Sequence, residues 1–512
     1  MSAKSVDIHG KNYSRGLFML AVLVATFAGM LMGTSLGTAL PTLMNDFNID
    51  LATAQEATTW FLLANGIMVP VSAYLSTKFP TKWLYVVAFS MLLIGQYISY
   101  SAPNNNWNWF LAGRIVQAIA VGITMPLMQV VIVYIFPAKD RGAAMGLGGL
   151  VIGMAPAIGP TLSGWILDKN HTILGLTLSD SWRSIFLLPM FVIALDLVMS
   201  LFLLHDVVPN QNIKLDIRSL VQSTVGFGLF LWGLTNVANS HYDGWFDIPH
   251  VIIPGLIGIF FIATFVLHQL EMKHPFLDVR VFKIKQFSVT TILISLSMMA
   301  MMGIEMMIPT YLQELRGLSP LSSGLTLFPG AVLMGVMSLV AGAVYDRNGA
   351  KRLSRVGFMI LSIATFPFLF IGLNTPKSFI TIFYALRMFG IAMVMMPLTA
   401  SAMSALPKEK ASDGTAANNT ARQVASAIVV SLLSSVTQNI ANTEGPAKAL
   451  KSENVLEFSR KTLDVTLTGF HASFAIALIF ALLGFIISSF LHSGKIISND
   501  PNLLDEKGDK QS

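Results

Sequence analysis

The chain has 512 residues, 54% hydrophobic and only 12% charged, against roughly 25% charged in an average soluble domain. That balance excludes an ordinary soluble fold and points to a chain built for the bilayer. The formal charge of +6 falls in short clusters between long apolar runs and forms no continuous basic face, so nucleic acid is not an expected partner. The absence of cysteine removes disulfides, thiolate metal sites and a Cys nucleophile. No Gly-Lys-Ser or Gly-Lys-Thr occurs, so the phosphate-cradling loop of an ATP-driven pump is missing and no cofactor is expected.

A helix needs about 20 apolar residues to cross hydrocarbon with every backbone group bonded internally. In chain order such runs lie near Gly16–Thr38, Ala57–Ser76, Trp83–Ala102, Trp107–Tyr134, Arg141–Ile166, Trp182–Leu204 and Ile217–Val237. They continue at Pro249–Leu270, Phe287–Ile308, Ser322–Val344, Leu353–Leu373, Phe379–Met403, Thr415–Gln438 and His471–Leu491. The first run is too long for a cleaved signal peptide and is kept as a span. The prediction is therefore an all-α polytopic protein with fourteen spans and both termini on one side. If that side is the cytoplasm, roughly two thirds of the Lys and Arg lie inside, as the positive-inside bias requires. Trp60, Trp83, Trp107, Trp109, Trp165 and Trp182 fall at span ends, where amphipathic rings prefer the headgroup region. All nine His sit in loops or near span ends, which argues against a mid-membrane His relay. The longest outer segment, Asn439–Phe470, carries Glu444, Lys448, Lys451, Glu453, Glu457, Arg460, Lys461 and Asp464. It reads as a solvated helical or hairpin loop, or as an external gate or vestibule.

An internal repeat follows. Ala73–Lys82 after the second run and Gly342–Lys351 after the tenth stand at one constant offset. Arg114 has a counterpart in Arg387, each followed by a helix proline, Pro126 and Pro397. Two six-helix halves with two extra helices between them explain this spacing. The organisation is an N-tail over 1–15, a bundle over 16–204, two linker helices with their loops over 205–286, a second bundle over 287–491, and a C-tail over 492–512. Paired bundles rocking about a midplane site are the architecture of alternating-access transporters.

A charge inside the bilayer costs about 2.5 to 3.5 kcal/mol and persists only where a cavity or partner supports it. Arg114 in the fourth run either organises the cavity or proton path, or anchors neighbouring carbonyls. Gln117, Thr124 and Gln129 extend a polar stripe along its helix. Glu305, roughly ten residues from any other charge, is the first candidate for a proton carrier; its bland alternative is a silent carboxyl near the interface. Asp196 could do the same job or serve packing. The fifth run is rich in small residues, among them Gly146, Gly149, Gly153, Pro156, Gly159, Pro160 and Gly164. Small residues let helices touch and paired prolines bend them. Asn65, and the cluster Asn418, Asn419, Arg422 and Gln423, either line a cavity or bond between helices. Met299, Met301 and Met302 could form an adaptable apolar pocket.

These motifs resemble the major facilitator superfamily, specifically its fourteen-span drug:proton antiporter family of the EmrB/QacA type, over almost the whole chain. Asp346-Arg347-x-Gly349-x-Lys351 looks like the superfamily's cytoplasmic loop motif, whose acid and bases latch the two halves. Arg114 and Gln117 match its fourth-helix motif, and Gly149 to Gly164 looks like its fifth-helix antiporter motif. Pro309-Thr-Tyr311-Leu-Gln313 and the Asp413 to Gln423 segment are also similar. The resemblance implies a cavity lined by Asn65, Gln117, Thr124, Gln129, Met301, Tyr311, Arg387, Asn419 and Gln423, with Lys78 as partner of the second-half gate. The first-half copy of the loop motif departs from the pattern, with Thr77 for the acid and Lys78 for the arginine. Met32 stands where many relatives carry an acid in the first helix, which puts more weight on Glu305. The implied function is a proton-coupled multidrug exporter of the plasma membrane. It would work as a monomer with amphipathic substrates, protons and lipid as its partners. The alternative is the same machine with one dedicated cargo such as a peptide, lipid or metabolite. No clustered nucleophile or His and acid pair suggests an enzyme.

Overall fold

The structure is a computed structural model that describes residues 4–49, 51–137, 140–173, 176–210, 216–237, 246–272, 275, 277–407, 410–444 and 455–491. The N-terminal half consists of α1 (Arg15–Thr34), a short α2 (Leu40–Phe47), α3 (Leu51–Lys78), α4 (Thr81–Tyr100), α5 (Trp107–Ile135), α6 (Arg141–Asp168) and α7 (Ser184–Leu203). Then come α8 (Ile217–Asn236) and α9 (Ile253–Glu271), followed by α10 (Lys285–Thr310), α11 (Pro320–Thr365), α12 (Lys377–Ser404), α13 (Ala411–Glu444) and α14 (Val455–Ser488). Two small hairpins, Lys4–Val6 with Asn12–Ser14 and His171–Ile173 with Leu176–Leu178, are the strands among the described residues. The fold class read from the sequence is thus correct: an all-α polytopic bundle.

Helices stand at all fourteen expected positions, but not all are equally apolar. Among the described residues, eleven are long and apolar enough to cross a membrane, or twelve when the bent α3 is taken as one span. Its bend of 48° falls between Val69 and Val71, at Pro70, where a proline removes one rung of the helix ladder. α8 and α13 fall short on composition, because both carry polar residues that face other helices: Ser223 on α8, and Asn418, Asn419 and Arg422 on α13, are all buried. The tenth and eleventh expected spans form one helical run, broken only at Gly349, whose φ of 74° lies in the left-handed region. A glycine adopts that conformation without the Cβ penalty, so the loop motif's glycine is the corner between the two segments of α11.

Of the alternatives for the long outer segment, its described part takes the helical one. α13 continues to Glu444 and α14 begins at Val455, so His471 lies well inside a helix and bonds the Ile371 carbonyl at 2.7 Å. Lys448, Lys451 and Glu453 lie outside the described residues. Trp182 also departs from expectation. It is fully buried, donates to Asp46 Oδ2 at 2.9 Å, and packs on Phe47 and Phe110, fastening α2 to the bundle. Trp83 and Trp109 remain about half exposed, as interfacial rings should be.

We call the end bearing Arg15, Lys82, Arg141, Lys285 and Lys351 the basic end. There the halves share one apolar core, in which Leu127, Met128 and Ile132 of α5 meet Met403, Leu406 and Ala417 of the second half. At the opposite end the cores are separate, one around Leu43, Phe47 and Trp182, the other around Tyr311, Phe368 and Phe470. Helices α8 and α9 pair with each other, and α8 lies against both α3 and α13. Val71 and Tyr74 of α3, Phe265 of α9, Leu277 and Ala416 of α13 close this contact into a small core.

The α9–α10 connection is tied to the start of α13. The Asp278 backbone N–H donates to Asp413 Oδ1 at 3.0 Å, and Lys410 Nζ lies 2.7 Å from Asp278 Oδ2. Burial pushes the Asp413 carboxyl, just outside the expected span, up to about 6, against the opposing pull of that N–H bond. A folded value above the unfolded one means stability is full at low pH and is lost as pH rises through about 6. Asp413→Asn keeps the acceptor and removes the buried charge. The gain in melting temperature over wild type should be larger at pH 8 than at pH 5 and vanish below the unfolded carboxyl value of 3.8; no gain at pH 8 would contradict this reading.

Candidate functional site

Among the described residues, polar contacts tie α3 and α5 of the first half to α13 of the second. At the basic end Ser76 Oγ of α3 lies 2.5 Å from Ser412 Oγ, which also bonds the Ala73 carbonyl at 3.2 Å. Deeper, Asn419 Nδ2 donates to Gln129 Oε1 at 3.1 Å, and Gln423 Nε2 donates to the Leu62 carbonyl at 3.0 Å. Gln129, Asn419 and Gln423, all expected in the cavity, therefore meet across the seam. A void of about 10 Å³ beside Gln129, Met396 and Thr399 has room for about one water molecule. Thr124 bonds only the Val121 carbonyl of its own helix, and Asn65 is half-buried on α3.

Other expected cavity residues are packed inside one half. Arg114 is fully buried and donates to the Met32 carbonyl and Gln117 Oε1, both at 2.9 Å, with its guanidinium 4.4 Å from the Phe61 ring centroid. Gln117 bonds the Gly95 carbonyl and Ser99 of α4, each at 3.0 Å. Arg114 thus clamps α1, α3, α4 and α5 together, which is the anchoring alternative. Arg387 repeats this in the second half, donating to Thr365 Oγ1 at 2.9 Å and to the Ala300 carbonyl at 2.8 Å. Both arginines hold a carbonyl of the first helix of their own half, which makes the sequence repeat a structural one. Tyr311 donates to the Gly372 carbonyl at 2.6 Å and, like Met301, sits in the second half's core.

Glu305 lies on α10, five residues beyond the carbonyl that Arg387 holds. Its Oε2 has no hydrogen-bond partner, and neither has Arg387 Nη1. Arg387 is the cation that acts electrostatically on Glu305, and Tyr384, one turn before Arg387 on α12, feels both. Arg114, expected to organise the cavity or proton path, lies in the other half, and Arg387 is the arginine that acts on Glu305. Tyr384 and Thr365 were missed. The i, i+3 spacing of Tyr384 from Arg387 was the available signal. Asp196, also with an unpartnered Oδ2, is buried on α7, whose principal neighbours are α1 and α4.

The glycine-rich α6 reaches three helices. A Cβ on Gly149 would stand 2.2 Å from Met396 Sδ of α12, one on Gly153 2.9 Å from Met334 Cγ of α11, and one on Gly159 2.5 Å from Thr34 Oγ1 of α1. The motif therefore lets α6 pack against both halves at once. Pro156 and Pro160 do not interrupt it: α6 is one helix from Arg141 to Asp168. Beside it, an apolar groove of about 360 Å³ lies between Phe27 and Leu31 of α1, Leu150 and Met154 of α6, and Leu188 and Val192 of α7. In the loop motif, the Asp346 and Arg347 side chains lie outside the described residues, Lys351 is half-buried, and Lys78 stands 5.3 Å from the Tyr74 ring centroid.

The sequence profile of the Major Facilitator Superfamily matches residues 22–430. The chain belongs to the major facilitator superfamily. It is 38% identical over 484 residues to the uncharacterized MFS-type transporter YcnB of Bacillus subtilis, covering 94% of this chain and 96% of that one. Lincomycin resistance protein LmrB of Bacillus subtilis is 35% identical over 483 residues, 93% of this chain and 96% of the relative. Among solved structures the human organic anion transporter MFSD10 is similar, with a TM-score of 0.61 at 14% identity over 92% of this chain and 99% of that one; that likeness concerns the fold alone. The chain is accordingly a multi-pass membrane transporter of this superfamily, and drug efflux is the activity its relatives' names indicate at family level.

Proposed function

We propose that this superfamily member is a fourteen-span, proton-driven exporter of amphipathic, largely apolar compounds, acting as a monomer in the plasma membrane with both termini in the cytoplasm. The observation that carries the reading is an unpartnered Glu305 Oε2 within electrostatic reach of Arg387, whose Nη1 is also unpartnered. When Glu305 holds a proton, Arg387 keeps only its bonds to Thr365 and Ala300. When the proton leaves, the carboxylate pairs with the free Nη1, drawing α10 towards α12. That exchange gives the second half two arrangements, which is what alternating access requires. The shared core at the basic end corresponds to a state closed towards the cytoplasm. A proton entering down 100 mV supplies about 2.3 kcal/mol, and a pH gradient adds to it. The all-apolar groove beside α6 suits cargo arriving from the lipid.

Resistance to lincomycin in a relative's name supports breadth towards drugs, while a dedicated cargo is the competing reading. Transport of one lipophilic dye by reconstituted protein should be inhibited by chemically unrelated dyes. Inhibition confined to close analogues would favour the dedicated carrier.

A further inference from the structure

The seam holds a buried arginine whose contacts are longer than the 2.8 to 2.9 Å bonds that Arg114 and Arg387 make inside their own halves. Arg422 of α13 is 6% exposed. Its Nη1 reaches Asn419 Oδ1 only at 3.4 Å, its Nη2 reaches Met298 Sδ of α10 at 3.9 Å, and its Nε has no partner. Both contacts sit at the long limit for a hydrogen bond. Arg387 is held by a carbonyl and a hydroxyl and lies within electrostatic reach of Glu305, whereas none of the described acidic side chains acts on Arg422. Beside it, Asn418 is 1% exposed with an unpartnered Oδ1. Arg422 lies eleven residues into α13, about 16 Å along the axis at 1.5 Å per residue, which is near the middle of a bilayer core of about 30 Å. Its helix neighbours Asn419 and Gln423 are the residues that touch α5 and α3 across the seam.

A buried guanidinium with five donors and no counter-charge is costly, and packing gains nothing from it that a methionine would not supply. A planar fork of this kind matches a carboxylate, sulfonate or phosphate in two parallel bonds. We propose that Arg422 is the binding site for an anionic group on the cargo, so that the favoured substrates are amphiphiles with an apolar body and a negatively charged end. This rests on the export reading above and narrows its cargo class.

The test measures binding of a carboxylated xanthene dye and its uncharged methyl ester to full-length protein in phosphatidylcholine nanodiscs by fluorescence anisotropy. Wild type should prefer the acid by about tenfold or more, the worth of a charge-assisted bond. Arg422→Gln should erase that preference while leaving ester affinity within about twofold, and Arg422→Lys should retain part of it. Equal affinity of wild type for acid and ester would overturn the proposal whatever the variants do, as would an equal loss of both ligands in Arg422→Gln. Displacement of the acid by phosphatidylglycerol in the nanodisc would support the site with a lipid headgroup as its anion. Lack of displacement alongside the acid preference would support it with a soluble cargo. Proton-driven export of a neutral dye is unaffected by either failure, so the two readings fall separately.

Discussion

Glu305→Gln should reduce gradient-driven dye transport to the level of protein-free liposomes, while exchange of cargo for cargo continues at close to the wild-type rate. Glutamine has the shape and charge of the protonated acid, so it leaves Arg387 Nη1 unpaired and fixes the second half in the loaded arrangement. Net transport requires that arrangement to be released; exchange does not. Loss of exchange as well would mean that Glu305 supports packing between α10 and α12 rather than coupling. Unchanged net transport would move the proton role to Asp196, which among the described residues is the other acid with a buried, unpartnered oxygen.

The second large effect concerns the seam. The chain has no cysteine, so a pair introduced as Ser76→Cys with Ser412→Cys would be the only thiols present. Their hydroxyl oxygens lie 2.5 Å apart, near the S–S bond length of about 2.05 Å. Oxidation should cross-link α3 to α13, stop transport, and be reversed by a reductant. The bond would hold the basic end shut, where the halves already share a core, and cargo could not enter from that side. Full transport by the cross-linked protein would show that this end does not open during the cycle.

Much of the fold could be read from the sequence because bilayer physics leaves few choices. Long apolar runs must be helices, and all fourteen positions are helical. Where reading failed, the cause was a contact rather than a pattern. Trp182 has the composition of an interfacial ring, yet α2 folds over it, a packing that no local signal reports. For the segment between the last two spans the sequence allowed a helical or a hairpin loop, and the extension of α13 and α14 decides for helix over its described part. In the candidate site, Glu305 was visible as an isolated charge, and Gln129, Asn419 and Gln423 as polar residues in apolar runs. Which cation serves Glu305 was not visible, since Arg114 and Arg387 occupy equivalent places in the repeat and only the three-dimensional packing puts Arg387 beside α10. Likewise nothing in the sequence distinguishes Arg422 from a satisfied anchor; its missing partners are a property of the folded seam.

The central claim is that proton entry drives cargo out through this molecule. It is tested most directly with purified wild type in proteoliposomes, by recording dye transport under an imposed pH gradient and again after an ionophore collapses it. Transport against the dye gradient is expected while the pH gradient lasts, with internal pH shifting in step, and none after collapse. Dye movement at the same rate with and without the pH gradient would contradict it.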